Sequence, residues 1–254
     1  MKIAVLVKYI PNPEGTPEMG SDFRLKREGV EAALDPGDEH GVEAALQLAG
    51  ADGEVTYVTM GPEPAAAAIR RALSMGGHKG VHVKDDALKG ADALVTAKAL
   101  AAALKRDQYD LVITGVESTD GYTGTLPMTV AELLGIPSAT FARKLEAKDG
   151  GISIERQTAG GYDSVECSLP ALVTVTAGAN EPRYPTLKGI MAAKQKPMDT
   201  LSVSDLGLSA EDATPTQEVM GIEPVPAKEA GEILEAGDDT AARVVEFLRS
   251  AKVI

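Results

Sequence analysis

The feature that most constrains the fold is an alternation of short apolar runs with longer alanine-rich segments, from the start to about residue 136. The short runs are rich in β-branched residues, and the longer segments carry apolar residues at helical spacing. Strands that alternate with helices in this way favour a parallel α/β sheet with helices on both faces. The predicted strands are residues 3–7, 55–60, 80–83 and 110–114. The predicted helices are residues 39–48, 64–75, 91–104 and 125–134.

The period of the hydrophobic residues changes in residues 137–178. Segments 140–146, 152–157, 164–168 and 172–176 have the pattern of β-strands, and the pairs Asp149-Gly150 and Gly160-Gly161 between them are typical of turns. We expect these segments to extend the sheet with antiparallel strands.

The remaining residues differ in composition. Residues 180–196 have the pattern of a loop that leads into a short helix, and residues 199–239 contain 11 Asp or Glu and one Lys. A last amphipathic helix is predicted over residues 239–251. The sequence therefore predicts one domain over residues 1–198 and a C-terminal arm with a helix over residues 199–254.

Charge and composition exclude several classes of function. The net charge of −13 disfavours binding to nucleic acid, and an aromatic share of 4% without Trp disfavours a stacking platform for single strands. One Cys and three His argue against a disulfide framework and a Cys/His zinc site, and fit a cytoplasmic protein. Lys8 interrupts the first apolar run, so no targeting signal is predicted.

A Gly-rich segment at residues 114–125 lies between a predicted strand and a predicted helix. Ligands of parallel sheets bind beyond the carboxyl ends of strands, where helix N-termini offer free amides to phosphate. Gly121 and Gly124 allow close approach of the backbone, and nearby hydroxyls add donors. The segment is neither a Walker A loop nor the G-x-G-x-x-G fingerprint. An ordinary Gly-rich connection with capping hydroxyls is the alternative.

Two other loops are predicted on the same rim of the sheet. Residues 33–39 precede the first helix, where Pro36 stiffens a turn, Gly37 permits close approach and Asp38 can cap the helix. Residues 60–62 follow the second strand. Three loops at one rim favour a nucleotide site.

Catalytic constellations are not evident in the sequence. His40, His78 and His82 lie in or beside predicted elements, Cys167 lies in a β-leaning run, and no pair of carboxylates has a spacing that requires acid and base roles. The sequence therefore indicates binding rather than bond-making.

Residues 180–197 form a basic segment within an acidic chain. Its cations are Arg183, Lys188, Lys194 and Lys196, and Leu187, Ile190 and Met191 fall on one face of the predicted helix. An apolar anchor rimmed by cations suits docking to an acidic partner. The alternative is a helix that packs its apolar face on its own core.

Taken together, these segments resemble the β subunit of electron transfer flavoproteins over nearly the whole chain. The resemblance is carried by residues 5–11 (VLVKYIP), 34–39 (LDPGDE), 60–62 (MGP), 72–76 (ALSMG), 115–125, 180–184 (NEPRY), 186–187 and 190–191. The NEPRY block and its Lys-rich sequel are the most specific of these.

The resemblance implies a Rossmann-like domain that binds AMP, in a heterodimer whose larger α subunit holds most of the FAD. The cofactor-binding residues that it implies around the adenosine are Leu6, Asp35, Pro36, Gly37, Asp38 and Met60. Those that it implies around the phosphate are Gly115, Ser118, Thr119, Asp120, Gly121, Tyr122, Thr123, Gly124 and Thr125.

The resemblance also implies partners. Leu187 looks like the anchor of a loop that docks dehydrogenases, with Ile190, Met191 and Lys194 beside it. Electrons from acyl-CoA or other dehydrogenases would pass to a quinone-linked oxidoreductase, as in fatty acid oxidation. The C-terminal arm and last helix would pack on the α subunit.

The chain departs from the family pattern in two places. The phosphate loop is about three residues shorter than in mitochondrial-type relatives, and the loop that holds Gly37 has no aromatic residue. Some family members bind a second FAD in place of AMP and bifurcate electrons, and this is the alternative. A free-standing nucleotide-binding regulator and a nucleotide-hydrolysing enzyme are the other rivals.

Overall fold

A computed structural model describes residues 1–223, 225–226 and 231–254. The strands are β1 (Lys2–Leu6), β2 (Tyr9–Pro11), β3 (Ala32–Leu34), β4 (Glu54–Met60), β5 (Lys79–Val83), β6 (Leu111–Gly115), β7 (Ser138–Lys148), β8 (Gly151–Thr158), β9 (Gly161–Ser168), β10 (Ala171–Val175) and β11 (Met198–Leu201). The α-helices are α1 (Pro36–Ala49), α2 (Ala66–Met75), α3 (Ala93–Leu104), α4 (Leu126–Leu134), α5 (Leu187–Ala193) and α6 (Thr240–Ser250).

The main sheet has nine strands in the order β11-β5-β4-β1-β6-β10-β7-β8-β9. All neighbours from β11 to β7 are parallel, and β8 and β9 follow as antiparallel strands. The chain adds β4 and β5 on one side of β1 and then β6 on the other, so the topological switch point lies between β1 and β6. This confirms the predicted α/β class, with a Rossmann-like parallel sheet extended by antiparallel strands.

Helices cover both faces of the sheet. Alternate residues of a strand point to opposite faces, so Ile3 and Val5 pack in the layer of α1 and α2, whereas Ala4 and Leu6 pack in the layer of α3 and α4. At Gly41 a Cβ atom would lie 3.5 Å from a methyl group of Ile113, so α1 lies close against the sheet.

The antiparallel prediction is confirmed for the pairs β7–β8 and β8–β9 and is wrong for the last of the four segments, β10. β7 and β10 run parallel to each other, and β10 also runs parallel to β6. After the hairpins of β8 and β9 the chain returns and inserts β10 between β6 and β7. Only this non-local return decides the direction of β10, and the local pattern carries no information about it.

Three short strands lie outside the predicted elements. β2 and β3 form a separate antiparallel pair around residues 12–31, and β11 pairs with β5 at the edge of the main sheet. The boundary drawn after residue 198 falls inside β11, and the first compact unit of the structure is Met1–Val219.

The second unit is Met220–Ile254. Its helix α6, all of which the structure describes, contains no buried residue, and Val244, Val245 and Phe247 are exposed. Among the described residues, no helix has the length and apolar character needed to cross a bilayer.

Candidate functional site

Three chain segments meet beyond the carboxyl ends of β1 and β6, at the topological switch point. They are Lys8 after β1, Asp35–Asp38 at the start of α1, and Gly115–Asp120 after β6. Switch points of this kind are where open α/β sheets bind their ligands. The structure therefore brings two of the three predicted rim loops together through direct contacts.

Asp35 joins the start of α1 to the loop after β6. It is fully buried, and its Oδ1 accepts a hydrogen bond from the amide of Gly37 at 2.9 Å. Its Oδ2 accepts a second one from the amide of Thr119 at 2.8 Å and lies 3.2 Å from the Thr119 hydroxyl. One carboxylate thus caps the helix and fixes the conformation of the Gly-rich loop.

Asp38 makes the second link, between α1 and both strand ends. Its Oδ2 accepts a hydrogen bond from the amide of Lys8 at 2.7 Å, and the Gly115 amide donates a further one. Burial raises the pKa of the Asp38 carboxyl well above its ordinary value, and the nearby Asp35 adds to this shift. The cost of a negative charge on Asp38 is therefore high, and the amide hydrogen bonds from Lys8 and Gly115 offset part of it.

Asp120 binds two cations from distant parts of the chain. Its side chain is only 2% exposed, with Oδ1 at 2.7 Å from Nζ of Lys8 and Oδ2 at 2.5 Å from a guanidinium nitrogen of Arg27. Burial raises the pKa of Asp120, but Lys8 and Arg27 outweigh this effect and hold it below its ordinary value. The ion pair with Arg27 links the segment between β2 and β3 to the Gly-rich loop.

The Gly-rich loop leads into α4, and its last backbone amides have no acceptor among the described residues. Tyr122 and Gly124 have positive φ angles, and Thr125 is the N-cap residue of α4 without a side-chain capping bond. Within the described part of the chain, the amides of Thr123, Gly124 and Thr125 donate no hydrogen bond to a protein acceptor. Free amides at a helix N-terminus suit a phosphate group.

Leu6 and Met60 lie on neighbouring strands at the same rim. Leu6 pairs with Val58 in register, and Met60 follows two residues later. Leu6 is buried and Met60 half-buried, and both belong to the layer of α3 and α4. They supply an apolar floor, as expected for the base of a nucleotide.

The side-chain oxygens of the predicted carboxylates bind groups of this chain. Asp35, Asp38 and Asp120 all direct their oxygens at groups of this chain, so they shape the loops around the site. Ser118 likewise accepts from Nζ of Lys8 at 3.1 Å. The groups left for an anion are the loop amides, the hydroxyls of Thr123 and Thr125, and the half-exposed Lys8. This donor set fits AMP at its phosphate end.

The second predicted site is the helix α5. Leu187 is 78% exposed, Met191 58% and Ile190 44%, so the alternative in which these side chains pack on their own core is wrong. Lys194, at the end of the helix, is exposed as well. An exposed apolar group of this kind on a short helix is typical of an interaction surface.

Contacts with α2 hold α5 in place. At Gly189 a Cβ atom would lie 2.3 Å from the carbonyl oxygen of Ser74, so no side chain fits there. Arg70 donates to the carbonyl oxygens of Ala193 at 2.6 Å and Lys196 at 2.8 Å. The Lys196 ammonium donates to the Leu73 carbonyl oxygen at 2.9 Å, near the C-terminus of α2.

The NEPRY segment is held by α1. Glu43 is buried, and its carboxylate accepts from Nε of Arg183 at 2.6 Å and from a terminal nitrogen of Arg183 at 2.9 Å. The side-chain amide of Asn180 donates to the His40 carbonyl oxygen at 2.9 Å. The basic patch predicted from sequence is therefore smaller than expected, because Arg183 and Lys196 are bound within the chain.

Several residues of the site were not predicted. Lys8, Arg27, His40 and Glu43 make the contacts just described, yet the sequence gives no functional signal for Arg27 or Glu43. Lys8 had a signal, since a cation that interrupts an apolar strand at its carboxyl end is unusual. Their partners lie far away in sequence, which is why local patterns do not reveal them.

Comparisons with known proteins agree with the sequence resemblance. The electron transfer flavoprotein domain matches residues 22–206. The electron transfer flavoprotein subunit beta of Mycobacterium tuberculosis (strain ATCC 25618 / H37Rv) is 41% identical over 263 residues, which cover 99% of each chain. The protein of the same name from Thermoanaerobacterium thermosaccharolyticum is 35% identical over 261 residues, with 100% of each chain covered. The caffeyl-CoA reductase-Etf complex subunit CarD of Acetobacterium woodii is 33% identical over 263 residues, also with 100% of each covered.

Proposed function

This chain belongs to the electron transfer flavoprotein family as a β subunit, and we propose that it is the AMP-binding small subunit of a heterodimeric electron carrier. In this proposal the larger α subunit holds most of the FAD, which accepts and releases the electrons. The β subunit binds AMP as a structural nucleotide, docks the dehydrogenases and has no catalytic residue of its own. Acyl-CoA dehydrogenases are the proposed donors, and a quinone-linked oxidoreductase is the proposed acceptor.

The observation that carries the AMP assignment is the braced loop after β6. Asp35, Asp38 and Asp120 fix its conformation from inside, and the amides of residues 123–125 have no protein acceptor within the described residues. The acidic side chains beside the loop leave room for a phosphate, because Asp120 is paired with two cations and Asp38 accepts backbone amides of this chain.

Co-purification with the α subunit tests the assembly and the nucleotides together. We expect a stable heterodimer with a flavin absorption spectrum, and one FAD and one AMP per heterodimer after denaturation and chromatography. Two FAD and no AMP would instead identify the electron-bifurcating alternative. A homo-oligomer without flavin would identify the free-standing regulator and contradict the carrier function.

Docking of dehydrogenases is assigned to α5 because its apolar side chains are exposed and its backbone is fixed on α2. The Leu187→Ala variant is expected to slow electron transfer from a partner dehydrogenase while the flavin and AMP contents stay unchanged. The physical reason is that a highly exposed side chain contributes little to folding but much to a contact that covers it.

The matched control is Met19→Ala, which removes a half-exposed apolar side chain outside both α5 and the C-terminal unit. Stopped-flow reduction of the FAD by the dehydrogenase measures the effect. Equal rates for Leu187→Ala and the wild type would remove the docking assignment and leave the cofactor assignment intact.

A further inference from the structure

Residues 12–31 project from the main sheet between β2 and β3, and we call this segment the strap. Its two ends are joined where the amide of Asn12 donates to the carbonyl oxygen of Glu31 at 2.8 Å. Nearer its tip, the amide of Lys26 donates to the carbonyl oxygen of Glu18 at 2.8 Å. The strap therefore has a defined base and its own internal hydrogen bonds.

Two arginines of the strap contact loops that follow strands of the main sheet. A guanidinium nitrogen of Arg27 lies 2.5 Å from Oδ2 of Asp120, in the loop after β6. Arg24 lies against Gly90, in the connection between β5 and α3, so closely that a Cβ atom at residue 90 would collide with its guanidinium group. Both connections follow the carboxyl ends of their strands, which form the rim of the proposed AMP site.

The two contacts define the course of the strap over the sheet. Because β4 and β1 lie between β5 and β6, a segment that contacts the connections after β5 and β6 crosses the ends of β4 and β1. Neighbouring strands lie about 4.8 Å apart, so the crossing is about 14 Å, within reach of residues 24–27 and two arginine side chains. The strands that it crosses carry Leu6 and Met60, so the strap faces this apolar floor across the space proposed for the nucleotide.

Little apolar burial holds the strap in place. None of its residues is buried, and Arg24 is exposed. The Arg27 side chain is 45% exposed, whereas that of its partner Asp120 is 2% exposed. Segments with few buried contacts open locally at a smaller free-energy cost than unfolding of the whole domain. The strap can therefore open while the sheet and the Gly-rich loop stay folded.

We propose that the strap closes over the bound nucleotide, and that Arg24 and Arg27 are positioning residues that hold it closed and so set how fast AMP enters and leaves. The proposal rests on the proposed AMP site and adds a control of exchange to it. It also gives Arg27 a role that Lys8 cannot share, because only Arg27 connects the strap to Asp120.

Exchange of bound AMP tests the strap in the co-purified heterodimer. A phosphatase that destroys free AMP makes release irreversible, and the loss of protein-bound AMP with time gives the release rate. Uptake of tritiated AMP by the emptied heterodimer, followed by rapid filtration, gives the association rate. We expect Arg27→Gln to raise both rates about tenfold, as for the loss of a charge-assisted hydrogen bond.

The pair of rates distinguishes a cover from a brace. Weakening a cover raises both rates, whereas a Gly-rich loop that has lost its binding conformation releases AMP faster but binds it more slowly. Arg24→Gln is an independent check, because Arg24 contacts Gly90 on the other side of the crossing. We expect both rates to rise several-fold in this variant as well, with an unchanged urea unfolding midpoint.

Lys26→Gln is the matched control. Lys26 is a cation of the same strap, but its ammonium group binds the carboxylate of Glu18 within the strap at 2.9 Å. Both rates are therefore expected to stay at the wild-type values. An acceleration equal to that of Arg27→Gln would contradict the role of the two contacts with the rim.

The other outcomes separate this proposal from the proposed function. Wild-type rates in both Arg24→Gln and Arg27→Gln would overturn the strap while the AMP site stands. Faster release with slower association in Arg27→Gln would mean that Arg27 only braces Asp120, which also overturns it. A heterodimer that purifies without AMP would contradict the proposed AMP site and this proposal with it.

Discussion

At Gly115 the site depends on a missing side chain. A Cβ atom at residue 115 would lie 2.8 Å from Oδ1 of Asp38. The Asp38 carboxyl group accepts hydrogen bonds from the amides of Lys8 and Gly115. Because Asp38 is buried between α1 and the strand ends, it has no free space to move into. The identity of a single residue therefore controls how three segments meet.

Gly115→Ala is expected to lower the free energy of unfolding by about 1–3 kcal/mol, as overpacking of a close-packed site does. The bound AMP is expected to decrease as well, because the displaced Asp38 no longer fixes the loop. Urea unfolding and nucleotide content after purification measure the two effects.

Gly160→Ala is the control for this prediction. No heavy atom of a neighbouring residue lies within 4 Å of the Cβ that it would add, and its φ angle lies outside the left-handed region. Wild-type stability and AMP content in Gly115→Ala would show that Asp38 does not brace the site.

Among the elements, α1 contacts two different parts of the chain through its first two turns. Its first turn supplies Asp35 and Asp38 to the nucleotide loop, and its second turn supplies His40 and Glu43 to the segment before α5. The proposed AMP site and the proposed docking helix are thus fixed to one helix. The pair Glu43–Arg183 is the stronger of the links to the docking side, with two charge-assisted hydrogen bonds between the side chains.

Glu43→Gln is expected to lower the free energy of unfolding by about 1–3 kcal/mol at neutral pH, because a buried charge-assisted contact is weakened. The amides of residues 180–186 are expected to exchange with solvent faster. Urea unfolding and hydrogen exchange measure these changes. Glu39→Gln is the control on the same helix, since Glu39 pairs with Arg71 at 3.1 Å in a more exposed position and should cost less than about 1 kcal/mol.

The effect of Glu43→Gln depends on pH. Burial raises the pKa of Glu43, but the hydrogen bonds from Arg183 and Gln47 outweigh it and hold the pKa below the ordinary glutamate value. A lowered pKa stabilises the fold above the ordinary value, and this contribution is lost as the pH falls through the lowered one. The difference between wild type and variant should therefore shrink in acid, and a constant difference would contradict the ion pair as its cause.

At the scale of the whole molecule, the C-terminal unit is distinguished by a helix whose apolar side chains are exposed. None of the residues of α6 is buried, although Phe247 and two valines lie on it. Residues 199–239 also hold 11 of the 38 acidic residues against one lysine, so much of the net charge of −13 belongs to this region. An exposed apolar helix after an acidic segment fits the proposal that this part packs on the α subunit.

A chain that ends at Val219 is expected to keep the unfolding midpoint of the full chain, because it loses no buried residue of α6. We expect it to lose the heterodimer with the α subunit. Urea unfolding and co-purification measure the two outcomes. A truncated chain that still forms the heterodimer would show that residues 220–254 are not needed for assembly.

The sequence by itself determined the class of fold and the rim on which the candidate site lies. Hydrophobic period and turn residues are local properties, and they located β1, β4, β5, β6 and the helices α1 to α4 within a few residues. They also placed Asp35, Asp38 and the Gly-rich loop on one rim, because the carboxyl ends of parallel strands share one edge of a sheet.

Only the tertiary structure decided the direction of β10, the cationic partners of Asp120, the exposure of Leu187 and the course of the strap. Each of these depends on contacts between residues that are far apart in sequence, such as Arg27 with Asp120 or Arg24 with Gly90. Local pattern reports which face of an element is apolar, but the neighbour that covers this face, or leaves it open for a partner, is chosen when the whole chain packs.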